Sequence, residues 1–112
     1  MKDFLFLFRG GNAGTSPEER QRSLQRWGAW IEGLAKAGKF KGGFPLESGG
    51  KVVSGAKKLV TDGPYPESKE VVGGYLIVTA TDLTDAVEIS KGCPIFADGG
   101  LVEVRPIMEM NM

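Results

Sequence analysis

Histidine is missing from this 112-residue chain, and cysteine occurs once. Without histidine there is no Ser-His-Asp or Cys-His catalysis, no His-ligated zinc and no imidazole base. Proton transfer is left to Asp, Glu, Lys, Tyr, water oriented by Arg, or Cys93. A single cysteine excludes an internal disulfide and fits a reducing, cytoplasmic setting. Net charge is absent too: 14 Lys plus Arg balance 14 Asp plus Glu. A general nucleic-acid binder needs a basic excess, so that class is set aside. The apolar run Phe4-Leu5-Phe6-Leu7-Phe8 falls far short of the roughly 18–20 residues of a membrane span. Lys2 and Asp3 precede it and no small-residue cleavage site follows, so neither a membrane partner nor a secretory signal is expected.

What remains is patterned as one domain over residues 1–112. Residues 3–9 predict a first strand, apolar on both faces and therefore central. After the loop Arg9-Gly10-Gly11-Asn12-Ala13-Gly14-Thr15, a helix begins with Ser16 as N-cap, Pro17 in the first helical position and Glu19 closing a capping box. Leu24, Trp27, Ile31, Leu34 and Ala35 form its apolar stripe, with Trp30 at the edge for a subunit or ligand contact. Gly38 ends it. Residues 39–50 are glycine-rich, contain Pro45 and predict a loop with a short strand near 44–47. Residues 51–61 predict the second main strand and 71–80 the third. A second helix starts at Thr81 or Asp82 and runs to Gly92, where Cys93-Pro94 stops it. Residues 101–108 predict the last strand.

The order β-α-β-β-α-β is that of an α+β, ferredoxin-like sandwich, an antiparallel sheet with both helices on one face. Alternation sends Tyr75, Ile77 and Thr79 to one face of their strand and Leu76, Val78 and Ala80 to the other. With Val102 and Val104 toward the helices, Glu103 and Arg105 join Tyr75 on the helix-free face. That mixture is too apolar to stay wet and too charged for a core, so a homodimer enclosing a polar cleft is expected.

The densest chemistry lies in Asp62-Gly63-Pro64-Tyr65-Pro66-Glu67-Ser68-Lys69-Glu70. Asp62 can accept turn amides, Gly63 allows a positive φ, and Pro64 locks the next step. Alternatively, the carboxylates crowded there act as general acid or base. On that reading Asp62 or Glu67 is the base and Tyr75 or Lys69 the acid or orienting group. Gly63, Pro64 and Glu70 line the site with Glu103, and Arg105 clamps a small polar or anionic ligand. For Glu103 and Arg105 the plainer alternative is a structural ion pair. Asp62, Glu67 and Glu70 can also hold a hard cation. The loop 9–16 before a helix N-terminus has the form of an anion site, but lacks the Walker spacing and carries Glu18 and Glu19. Cys93 is expected to be a buried cysteine at a helix end. Neither a metal nor a cofactor is called for.

The nine residues closely resemble the Asp-Gly-Pro-Phe-Ala-Glu-Thr-Lys-Glu signature of the YCII-related (DGPF-domain) proteins. Val72-Gly73-Gly74-Tyr75, Cys93-Pro94 and Val102-Glu103-Val104-Arg105-Pro106-Ile107 continue the resemblance. Departures fall at Tyr65, Pro66 and Ser68. The resemblance implies a dimeric α/β-barrel of ferredoxin-like subunits with a cleft of mostly unassigned activity. It also implies a His-Asp pair in that cleft, which this chain cannot supply. Some members are associated with sigma factors, which makes a non-catalytic regulatory or protein-interaction module the alternative to a small-molecule binder or cofactor-free acid/base enzyme.

Overall fold

The computed structural model describes residues 1–12, 14–63 and 71–110. Strand β1 (Lys2–Arg9) leads to helix α1 (Pro17–Lys36), then β2 (Phe40–Pro45). A hairpin of β3 (Lys51–Ser54) and β4 (Leu59–Asp62) precedes β5 (Val72–Ala80) and helix α2 (Leu83–Ser90). A 3₁₀ turn (Pro94–Asp98) and β6 (Leu101–Pro106) complete the chain.

Among the described residues the main sheet has the order β2-β5-β1-β6, antiparallel throughout. This is the ferredoxin-like sandwich, with β1 central as its doubly apolar pattern requires. Phe4, Phe6 and Phe8 point from β1 into the core with Leu76, Val78 and Ala80 of β5. Trp27, Trp30, Ile31 and Leu34 of α1 and Ala86 of α2 cover them. The opposite face carries Leu5 and Leu7 beside Ile77 and Tyr75, and no helix lies over it among the described residues. A thickness of 19 Å matches one helix layer on one sheet.

Local chemistry sets the helix ends. Ser16 Oγ accepts the Glu19 amide at 3.1 Å, and Pro17 occupies the first turn. Asp82 is the cap of α2: its Oδ1 accepts the Asp85 amide at 2.8 Å, while Asp85 Oδ2 accepts the Thr81 amide at 2.9 Å. Asp82 thus caps the helix while Asp85 reaches back past it to Thr81, a variant of the capping box, and the Thr81 hydrogen bonds hold the Asp85 carboxyl below its ordinary range.

Three expectations change. The second main-sheet strand is Phe40–Pro45, not 51–61. Residues 51–61 are broken by a turn at 55–58 and fold on themselves as the β3–β4 hairpin, a separate two-stranded sheet. Leu24 is 71% exposed and the buried stripe of α1 runs instead through Ser23, Trp27, Trp30, Ile31 and Leu34. Trp30, expected at the edge of the stripe, is half-buried: it stacks on Phe6 and meets Phe8 edge-on.

Candidate functional site

The sheet and α1 part at one end. There β1 runs out into Gly10-Gly11-Asn12, β2 ends at Gly43-Phe44-Pro45, and β5 begins with Val72-Gly73-Gly74. Between these strand ends and the first half of α1 lies a cavity of about 620 Å³, within the roughly 300–1,000 Å³ of small-molecule sites. Its walls are mainly apolar and aromatic: Phe8, Trp27, Ile31, Phe44, Leu76 and Ile95. Phe8 and Trp27 meet edge-to-face with centroids 4.9 Å apart, which fixes both rings.

Glycine keeps the space open. Gly28 faces it from α1, and a Cβ there would meet nothing within 4 Å. On the strand side Gly43 has φ +147°, and its Cβ would come within 2.2 Å of the Tyr75 carbonyl oxygen. Only glycine allows β2 and β5 to approach so closely.

A small polar set breaks the apolar lining. Ser23 is 4% exposed, and its hydroxyl has no hydrogen-bond partner among the described residues. Its oxygen is not walled off, because no fully enclosed side-chain polar atom among the described residues lacks a partner. Ser23 is one of the residues that line the cavity. Asp98 enters from the 3₁₀ turn, its side chain mostly buried and paired with Arg26 at 3.5 Å. Its carbonyl accepts the Asn12 amide at 2.9 Å, tying the glycine loop to the turn. Arg20 and Asn12 complete the polar rim. The arrangement encloses the apolar body of a small molecule while offering one hydroxyl and one carboxylate inside.

The sequence-derived site residues are not gathered there. Asp62 ends β4 on the hairpin, its side chain 89% exposed and paired with Lys51, with no turn amide bound to it among the described residues. Gly63 is buried without a positive φ; glycine is needed because a Cβ would run into Val52. Pro64, Glu67, Lys69 and Glu70 lie outside the described residues. Tyr75 is one of the cavity-lining residues, and its ring packs on Phe44 at 6.5 Å.

Glu103 and Arg105 do meet, at 3.2 Å, on the helix-free face. Glu103 also binds Arg9 at 3.2 Å, a partner that sequence spacing did not reveal. Register explains it: Leu7 pairs with Glu103, and Arg9 lies two residues along the same face of β1. Two guanidiniums thus meet one carboxylate on this face. At the loop before α1, the Glu19 carboxylate sits against Gly14, which opposes an anion. Cys93 is buried, and desolvation pushes its thiol up to about 11 from an ordinary 9.0.

The YCII-related domain matches this chain over residues 4–111. The chain belongs to that family. As a YCII-related domain it is similar to a solved structure, the 5-chloro-2-hydroxyhydroquinone dehydrochlorinase of Burkholderia phenoliruptrix AC1100 in complex with 2,5-dihydroxybenzoquinone. That protein is 21% identical over 90% of each chain, with a TM-score of 0.48. At that identity no residue role passes from one chain to the other. No curated protein matches the chain. Among the described residues no helix of this YCII-related domain is long and apolar enough to cross a membrane.

Ser23, Asp98 and Asn12 were missed in the sequence. Ser23 had a signal: it stands four residues before Trp27, in phase with the apolar stripe, where a polar residue is out of place. Asp98 had none, since a 3₁₀ turn brings it in from a stretch without periodicity.

Proposed function

We propose that this YCII-related domain binds a small, largely apolar, ring-sized molecule carrying a hydrogen-bonding group in the cavity beneath α1, and that it works as a homodimer. The observation that carries the binding reading is Ser23, a residue only 4% exposed that lines an aromatic-walled space and whose hydroxyl makes no hydrogen bond among the described residues. A ligand atom at hydrogen-bond distance from that hydroxyl would take the place of water, a net gain on the order of 0.5–1.5 kcal/mol. Asp98 supplies an acceptor, so a ligand hydroxyl or amine is favoured over a carboxylate. Arg105 is engaged by Glu103, which argues against the anion clamp. The same two groups serve a cofactor-free proton transfer, with Asp98 taking the proton and Ser23 orienting the ligand. The dimer reading rests on Leu5, Leu7, Tyr75 and Ile77, which are half-buried on a sheet face without helices.

Thermal-shift screening against small ring compounds tests the binding reading, with Ser23→Ala alongside. Ser23 makes no hydrogen bond among the described residues, so the variant should melt close to the wild type. It should also lose most of the shift produced by hydroxyl-bearing hits. A library without hits, together with a macromolecular partner recovered in pull-downs, would favour the regulatory module instead.

A further inference from the structure

Residues 44–62 are exposed without a break. They include the whole β3–β4 hairpin, whose backbone tie at its base among the described residues is the Gly63 amide on the Gly50 carbonyl at 3.3 Å. Register divides its side chains between two faces. Val53 and Val60 pair on one face with Lys51 and Asp62. Val52 and Leu59 lie on the other with Thr61 and Ser54. All four apolar side chains are exposed. An isolated two-stranded hairpin is marginal in water, and one apolar on both faces needs cover.

The chain as a whole shows the same deficit. Its accessible surface is 8214 Å², against about 6,000 Å² for a compact monomer of this mass. Its radius of gyration is 15.7 Å, against about 13 Å for a compact domain of this length.

We infer that the hairpin is an arm that clasps a second copy of this chain. The inference rests on the homodimer reading and adds to it. Area decides for a second copy. Four strands about 4.8 Å apart and about six residues long give the helix-free sheet face a flat footprint of roughly 400 Å² per protomer, about 800 Å² for a pair. Stable interfaces bury about 1,200–2,000 Å², so the sheets alone fall short. Each arm, two strands by about four residues, presents roughly 130 Å² per face. Two arms, each burying one face and the patch beneath it, bring the total to about 1,300 Å². The arm is also continuous with the sheet face, because Phe44 at its root packs on Tyr75.

The test is dimer dissociation measured by light scattering over a dilution series. Wild type is compared with Val53→Lys/Val60→Lys and Val52→Lys/Leu59→Lys, one pair for each arm face. These side chains are exposed in the protomer, so circular dichroism should be unchanged. The expected result is a dissociation constant raised at least tenfold by one of the two pairs. Hydrogen exchange on the unmodified protein supplies an independent readout: arm amides should gain protection as concentration rises through the dissociation constant. A wild-type dimer that both variants leave intact, with arm amides unprotected at every concentration, would overturn the clasp and leave the dimer standing. A wild type that stays monomeric at high concentration would overturn both.

Discussion

Gly28 separates binding from stability. It sits in the middle of α1, where glycine costs about 0.8–1.0 kcal/mol relative to alanine and leucine only a little. Its Cβ direction is empty within 4 Å and faces the cavity. Gly33, on the same helix and with the same free space, does not line the cavity and serves as control. Leucine at either position should stabilise the free protein by about 0.7 kcal/mol, or a rise in Tm of roughly 3–5 °C for a domain of this size. The two variants should part when ligand is added. At a hundred times Kd, a ligand stabilises the wild type and Gly33→Leu by about 2.7 kcal/mol. Gly28→Leu puts an isobutyl group into the space and should gain almost nothing. Differential scanning calorimetry with and without a screening hit reads both effects. Equal ligand shifts in the two variants would place the ligand elsewhere and refute the reasoning. A Gly28→Leu protein that melts lower than wild type while Gly33→Leu melts higher would show that the space is not open.

Gly43→Ala should destabilise by roughly 2–4 kcal/mol, because its φ is unfavourable and its Cβ meets the Tyr75 carbonyl; urea unfolding checks this, and a change under 1 kcal/mol would mean that β2 shifts freely. Asp62→Asn should change stability by no more than about 0.5 kcal/mol, since an exposed pair with Lys51 contributes little; a larger loss would restore a structural role for the signature aspartate. Cys93 has its folded pKa raised to about 11 from 9.0, so the stability linked to its neutral form is complete below pH 9 and is lost as pH rises toward 11. Unfolding curves across that window should fall more steeply for wild type than for Cys93→Ala, and thiol reagents at pH 8 should react slowly with the native protein.

The α+β sandwich was readable because β1, β5 and β6 alternate or run apolar in the expected way and both helices carry their own caps. β2 was hidden for a physical reason. Gly42, Gly43 and Pro45 read as loop residues, yet an edge strand tolerates proline, and the tight approach of β2 to β5 requires glycine. The valines of 51–61 then took the strand assignment that belonged to 40–45. The site was less readable. The charges legible in the sequence, Asp62, Glu103 and Arg105, stand in ion pairs away from the cavity. The cavity depends on the side chain missing at Gly28 and on Ser23, whose meaning depends on a space that only the packed helix creates. The pairing of Arg9 with Glu103 needed the register of β1 against β6, which no single-strand pattern contains.

The central claim is that ligand enters beneath α1, and the two tryptophans report on it directly. Trp27 lines the cavity, whereas Trp30 packs behind it on Phe6. In a ¹H–¹⁵N spectrum each indole N–H gives one resonance. Titration with a compound that raises Tm should move the Trp27 indole signal most, leave Trp30 nearly still, and do neither in Gly28→Leu. Shifts confined to Leu5, Leu7, Ile77 and Glu103 on the helix-free sheet face, with Trp27 unmoved, would contradict the account.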